Sequence, residues 1–289
     1  MLSMPGRADC FRNLFDVTMP VIGMIHLPAL PGSPHCDMSG GFEKAWSRIQ
    51  SSVVADAKAL AAGGVDGIMI ENFGDVPFFP GTNPPQVLSL MTSIAAMIRV
   101  ETGKRIGINV LRNDGNSALA IALAAGAGFV RVNVLSGARV TDQGVIQGAA
   151  HEIMRYRQQI GAGHIAVLAD VQVKHSTPLG AQAPLAQDVD DLCKRAVADG
   201  VIVSGSGTGK AVDLESLRAT KAAAGDHPVL VGSGAAIDNI DAICRHADGL
   251  IVGTAFKRGG SVAAPVEVSR VAAFMSAVAD IRLRLGRNA

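Results

Sequence analysis

Short runs of β-branched residues alternate with longer Ala-rich stretches of helical periodicity from Pro20 to the C-terminus, at a repeat of roughly thirty residues, the rhythm of successive βα units in a parallel sheet. Eight runs read as strands: Val21–His26, Gly67–Glu71, Arg105–Val110, Phe129–Val134, Ile165–Val173, Val201–Ser204, Pro228–Gly232 and Gly249–Gly253. The intervening helices are expected near Phe42–Ala62, Pro85–Thr102, Gly115–Ala125, Gly148–Ile160, Ala186–Ala198, Asp213–Ala224, Ala236–His246 and Ala264–Leu285. Local chemistry agrees: Pro84-Pro85 suits a first helical turn, Asp213 precedes an apolar-periodic run, and Gly63-Gly64, Gly126 and Gly200 stand where chain leaves helix for strand.

Eight such units specify an α/β fold, a single (β/α)8 TIM barrel over residues 1–289 with residues 1–19 as an N-terminal extension. A doubly wound sheet is the alternative, but it would carry an early G-x-G-x-x-G fingerprint, and the first strand here runs into His26-Leu27-Pro28. The glycine-rich loops come late, after the sixth, seventh and eighth strands.

Strand alternation selects the polar residues that face the lumen. In Gly67–Glu71 it aligns Met69 with Glu71, in the third strand Gly107 with Asn109, and in the fourth Arg131 with Asn133. In the fifth, with a local irregularity invoked between Val167 and Leu168, it places Leu168, Asp170, Gln172 and Lys174 inward. Glu71, Asn109, Arg131, Asn133, Asp170, Gln172 and Lys174 thus converge at the strand ends, with His26 and His175 at the rim. Buried charges without partners are costly, so this set must pair internally or serve a ligand. Internal pairing would join Arg131 to Glu71 and Lys174 to Asp170.

The candidate catalytic residues are therefore Glu71, Asp170, Lys174, His175, His26 and Arg131. Asp170 or Glu71 could act as general base, because a dry lumen raises a carboxyl pKa toward the working pH. His26 or His175 could return the proton, and Lys174 or Arg131 could stabilise an oxyanion. Asn109, Asn133 and Gln172 are candidate substrate contacts.

The loops Val231-Gly232-Ser233-Gly234 and Val252-Gly253-Thr254-Ala255 suit a phosphate, since glycine lets backbone N–H groups approach an anion and a following helix adds partial positive charge. Gly232, Ser233, Gly234, Gly253 and Thr254 are the candidate phosphate-binding residues. The loop Ser204-Gly205-Ser206-Gly207-Thr208-Gly209-Lys210 fails the Walker pattern at Ser204 and Ala211, and Ser204, Gly205, Ser206 and Gly207 are candidate substrate contacts.

A net charge of +1 and 4% aromatics give neither the field nor the stacking rings of a nucleic-acid binder, so a small phosphorylated substrate is the expected partner. Cys10, Cys36, Cys193 and Cys244 are too scattered for a zinc knuckle or disulfide framework, which fits reduced thiols in a cytoplasmic protein. His26, His35, Cys36 and Asp37 lack metal-ligand spacing, so no metal or cofactor is expected. No signal peptide is evident, no integral membrane segment is expected from apolar runs such as Ala118–Ala125, and a homo-oligomer stays open.

The segment Pro20-Val-Ile-Gly-Met-Ile-His-Leu-Pro-Ala-Leu-Pro-Gly-Ser-Pro34 resembles the signature of the BtpA family. Asp66–Asn72, Ala169–His175, the Ser204–Gly209 loop and Gly249–Phe256 extend the resemblance over nearly the whole chain. It implies a barrel related to phosphoribosylanthranilate isomerase and tryptophan synthase α-type folds. The family name comes from a factor needed for photosystem I accumulation, while other members are regarded as sugar or nucleoside enzymes. Two functions are thus carried forward. One is an enzyme acting on a small phosphorylated sugar, phosphoribosyl or nucleoside compound by acid–base isomerase or lyase chemistry. The other is a non-catalytic assembly, biogenesis or regulatory factor with a vestigial ligand site.

Overall fold

The β-branched runs do form eight parallel strands: β1 (Val21–His26), β2 (Gly67–Glu71), β3 (Arg105–Asn109), β4 (Phe129–Val132), β5 (Ala166–Asp170), β6 (Gly200–Val203), β7 (Val229–Val231) and β8 (Gly249–Val252). They close into a barrel in the order β1-β8-β7-β6-β5-β4-β3-β2. The structure is a computed structural model and describes residues 7–205 and 211–286. Ser206 and Gly207 lie outside the described residues.

Two apolar layers follow from the alternation. Ile22, Met24, Met69, Phe129, Ala166, Leu168, Ile202, Leu230 and Ile251 fill the lumen, whereas Val130, Val132, Val167, Ala169 and their counterparts pack outward against the helices. Val167 and Leu168 fall on opposite faces by plain alternation, so the irregularity expected between them is not needed. Gly107 makes room inside: a Cβ there would sit 2.1 Å from the Phe129 ring.

The residues ahead of β1 are part of the core. The helix Arg7–Arg12 puts Phe11, 1% exposed, into the lumen cluster, where its ring meets Phe129 edge-on at 5.9 Å between centroids. Phe15 packs beside both rings. This aromatic group lies at the opposite end of the lumen from the polar strand ends.

Several boundaries differ from expectation for local reasons. β5 stops at Asp170 because Gln172 and His175 take left-handed backbone, φ 49° and 57°, and turn the chain away from the barrel. Gln172 is exposed and donates to Asp188 at 2.9 Å, which removes it from the lumen. The helix expected from Ala236 begins only at Ile240 and ends at Cys244, because the Asn239 side chain holds the preceding turn, accepting from Ala236 N–H and donating to the Gly234 carbonyl. Ala186–Ala198 resolves into an α-helical Leu185–Asp190 and a π-helical Asp191–Arg195. The helices expected at Gly148–Ile160 and Ala264–Leu285 span Ala150–Gln159 and Val268–Arg284.

A feature absent from the expected pattern covers part of the mouth. The loop after β4 forms a hairpin of Ala138–Thr141 and Gly144–Gln147, and Thr177–Pro178 from the loop after β5 adds a third antiparallel strand. Val134, Ile146 and Val173 make its small core. Arg139 ties the layers by donating to Ser176 Oγ at 2.9 Å and to Gln182 Oε1 at 3.0 Å.

Candidate functional site at the strand C-termini

Register aligns the polar residues. His26 is paired in the ladder with Glu71, Glu71 with Asn109, and Asn109 with Arg131, so four neighbouring strands present one polar layer above the apolar lumen. Asn133 follows one repeat higher than Arg131, as Asp170 does above Leu168, and the two meet.

Arg131 and Asp170 form the rigid centre. The guanidinium donates twice to the carboxylate, Nη2 to Oδ1 at 2.8 Å and Nε to Oδ2 at 3.0 Å, and both side chains are essentially buried. Asn133 Nδ2 donates to Asp170 Oδ2 at 2.7 Å, and Ser204 Oγ reaches Oδ1 at 3.4 Å. Asp170 is thus engaged on both oxygens. The pairing differs from the one expected by alternation alone, in which Arg131 joined Glu71 and Lys174 joined Asp170: adjacent strands β4 and β5 bring Arg131 and Asp170 into bidentate geometry first. The pair raises the already high Arg131 pKa through the Asp170 charge, against the opposing effect of burial.

Glu71 is different. It is buried, lines the cavity, and its carboxyl group has no hydrogen-bond or ion-pair partner among the described residues. Burial pushes its pKa up, opposed by the positive charges of Arg131 and Lys174. Lys174 lines the same cavity, with its ammonium likewise unpaired among the described residues, and burial followed by the Arg131 charge lowers its pKa. Although it lies beyond the end of β5, the loop returns it to the mouth.

His26 completes this group. Burial, reinforced by the positive charges of Lys257, Lys174 and Arg131, lowers its pKa to about 3, so its imidazole is neutral at physiological pH. The ring packs against Phe73 with centroids 4.8 Å apart, and Nδ1 is buried without a partner among the described residues. His175, by contrast, is exposed in the loop beyond β5 and is not among the cavity-lining residues.

The remaining cavity wall, beyond His26, is glycine-rich. Gly232, Ser233, Gly234, Gly253 and Thr254 all line it. Side chains at the glycines would fill it: a Cβ on Gly232 would lie 2.4 Å from Ile202 Cγ2 and 3.4 Å from Arg131 Nη2, and one on Gly253 would lie 2.8 Å from His26 Cε1. Gly234 takes φ 77°, a conformation that favours glycine. Ser233 Oγ accepts from Gly205 N–H at 3.1 Å, linking this wall to the start of the loop after β6. The N–H groups of Gly234, Ala235 and Thr254 donate to no acceptor among the described residues. With the next helix delayed to Ile240, these amides rather than a helix dipole would hold an anion.

Two charged residues beside the site, neither lining the cavity, were missed by sequence reasoning. Arg112, 6% exposed, follows β3, donates from Nη2 to the Lys174 carbonyl at 2.8 Å, and leaves Nε without a partner. A charged residue directly after the apolar pair Val110-Leu111 was the available signal. Lys257 is buried and bound at 2.6 Å to Asp56 of the helix Gly41–Ala62, placing a fixed positive charge near His26. Among the described residues no cluster of His, Cys, Asp and Glu is arranged to hold a metal ion.

A closed eight-stranded parallel barrel with a charged, glycine-walled cavity at the strand C-termini defines a TIM-barrel protein. The chain belongs to the BtpA family, whose model matches residues 17–280. It is 45% identical to the Photosystem I biogenesis protein BtpA of Synechocystis over 94% of this chain and 92% of that protein. It is 41% identical to an uncharacterized protein of Thermococcus kodakarensis, covering 91% of this chain and 96% of the relative. Among solved structures, thiamine phosphate pyrophosphorylase from Pyrococcus furiosus superposes with a TM-score of 0.56 at 13% identity, covering 92% and 98% of the two chains. Phosphoribosyl anthranilate isomerase from Thermus thermophilus does so with a TM-score of 0.53 at 12% identity, covering 91% and 100%. These two likenesses establish the fold. No described helix is long and apolar enough to cross a membrane.

Proposed function

We propose that this chain is an enzyme that binds a small phosphorylated sugar, phosphoribosyl or nucleoside compound and carries out acid–base isomerase or lyase chemistry on it. The observation that carries the reading is Glu71: a buried carboxyl with a raised pKa and no partner among the described residues, facing one cavity with a neutral imidazole and an unpaired ammonium. Structural carboxylates at such depth are normally paired, as Asp170 is. An unpaired one with an elevated pKa suits proton transfer near neutral pH.

The phosphate would rest on the Gly234, Ala235 and Thr254 amides, with Gly232 and Gly253 keeping the approach clear. Glu71 in its ionised form would then take a proton from the substrate carbon. Neutral His26 would donate a hydrogen bond to the oxygen on which charge develops, and Lys174 would stabilise that charge. Arg131, fixed by Asp170, Asn133 and Ser204, acts as a preorganised positive wall rather than as a mobile base or acid. The names of the structural neighbours, a phosphate pyrophosphorylase and a phosphoribosyl isomerase, agree with a phosphorylated ligand.

The test has two stages. Sugar phosphates and their dephosphorylated forms are compared for thermal stabilisation, since a ligand of the native state raises its melting temperature by mass action. The stabilising compound is then incubated in D2O and its C–H signals followed by NMR. Phosphate-dependent stabilisation, with deuterium wash-in lost in Glu71→Gln, is the expected result. Absence of any phosphate-dependent shift at millimolar ligand would refute the reading.

The second reading, a non-catalytic biogenesis factor with a vestigial ligand site, is favoured by the name of the Synechocystis relative. It predicts that a folded Glu71→Gln chain keeps its biological activity in complementation.

A further inference from the structure

We propose that the ligand of this cavity is a phosphorylated carboxylic acid, its phosphate on the glycine loops after β7 and β8 and its carboxylate taken by Arg112 and Lys174 across the mouth. The inference rests on the phosphate site proposed above and adds what the other end of the ligand must be.

Charge and topology carry it. Three cations, Arg112, Arg131 and Lys174, surround the two carboxyl groups of Glu71 and Asp170. Arg131 and Asp170 neutralise one another in a bidentate pair, which leaves Arg112 and Lys174 with only Glu71 to offset them, an excess of one positive charge. Arg112 is more than nine-tenths buried, yet it makes no ion pair, and its Nε has no acceptor among the described residues. The exposed Asp142, on the hairpin after β4, is the other acid whose charge reaches it. A guanidinium buried this far from a partner is costly unless an anion arrives.

That anion is not the phosphate. Around the closed barrel β3 and β7 are four strands apart in either direction, so Arg112 stands across the mouth from Gly232–Ala235. The Arg112 Nη2 bond to the Lys174 carbonyl at 2.8 Å ties the two cationic residues together and fixes the fork that would meet a planar group. Arginine with a neighbouring lysine recognises a carboxylate by charge-assisted hydrogen bonds.

The experiment compares matched ligands by calorimetry on the full chain: 3-phosphoglycerate against glycerol 3-phosphate, and 4-phosphoerythronate against erythritol 4-phosphate. The dephosphorylated polyols serve as the phosphate control. At least one phospho-acid is expected to bind about tenfold or more tightly than its polyol phosphate, the lower range for a hydrogen bond to a charged group. Arg112→Gln and Lys174→Gln should each bring the pair toward parity, weakening the phospho-acid more than the polyol phosphate. If Arg112→Gln does not fold, Lys174→Gln carries the comparison. Equal binding of acid and polyol phosphates, both tighter than the free polyols, would overturn this inference and leave the phosphate site standing. No advantage of polyol phosphates over free polyols would overturn the phosphate site and this inference with it.

Discussion

Replacing Asp170 with asparagine keeps the shape of the side chain but removes the charge that compensates Arg131. In the native protein the Arg131 side chain is 2% exposed and that of Asp170 is 0%, so water cannot replace the lost partner. Two direct bonds, at 2.8 and 3.0 Å, lose their ionic character, and the Asn133 amide at 2.7 Å faces a weaker acceptor. Breaking a buried pair from one side costs roughly 3–5 kcal/mol. At about 2–4 °C per kcal/mol for a large domain, Asp170→Asn should melt about 6–20 °C below the wild type. Urea unfolding should give the same loss as a lower midpoint with an unchanged slope. A double variant, Arg131→Met with Asp170→Leu, removes both charges and should recover much of the loss, because desolvating the pair is itself unfavourable. A loss below about 1 kcal/mol in Asp170→Asn, or a double variant as unstable as the two singles combined, would refute the claim that the pair acts as one buried unit.

Three further outcomes follow from the geometry. Glu71 has a folded-state pKa raised above its ordinary 4.5, so its stabilising contribution is complete below that value and is lost as pH rises through the folded pKa; a melting-temperature profile should show this decline, and Glu71→Gln should flatten it. His26, with a pKa lowered from 6.5 to about 3, contributes stability above pH 6.5 that is lost as pH falls toward 3, and its ring resonances should not titrate between pH 5 and 8 in NMR spectra; a midpoint near 6.5 would contradict the burial argument. Phe11→Ala removes a 1% exposed ring from the Phe129 cluster and should cost about 3–5 kcal/mol in denaturant unfolding, and a loss under 1 kcal/mol would show that the helix Arg7–Arg12 is not part of the core.

The barrel was legible because its signal is repeated and local: β-branched strands alternate with helical stretches, and glycine exits mark several of the units. The inward side of Glu71, Asn109 and Arg131 followed from alternation alone, whereas Asp170 was placed inward with an irregularity that the regular strand does not contain. Partner choice did not follow. Whether Arg131 meets Glu71 or Asp170 depends on relative height across β4 and β5, which a one-dimensional pattern does not contain. Gln172 was misplaced because a left-handed residue ends the alternation without any glycine to announce it. The Asn239 turn that shortens the expected Ala236–His246 helix, and the three-stranded sheet joined by Thr177–Pro178, arise from contacts between side chain and loop or between distant loops. Arg112 escaped notice for a related reason, as it stands outside a strand and its burial is tertiary.

The barrel closes by pairing residues from opposite ends of the chain, Val21 with Leu250 and Gly23 with Val252. During synthesis β1 therefore keeps one edge open until β8 has been made, and an open strand edge is a template for wrong partners. His26 on β1 meets Gly253 after β8 only when this last seam forms. A chain stopped before Gly249 lacks the strand that seals the ring, so neither edge of the open sheet can close on the other until that strand is present.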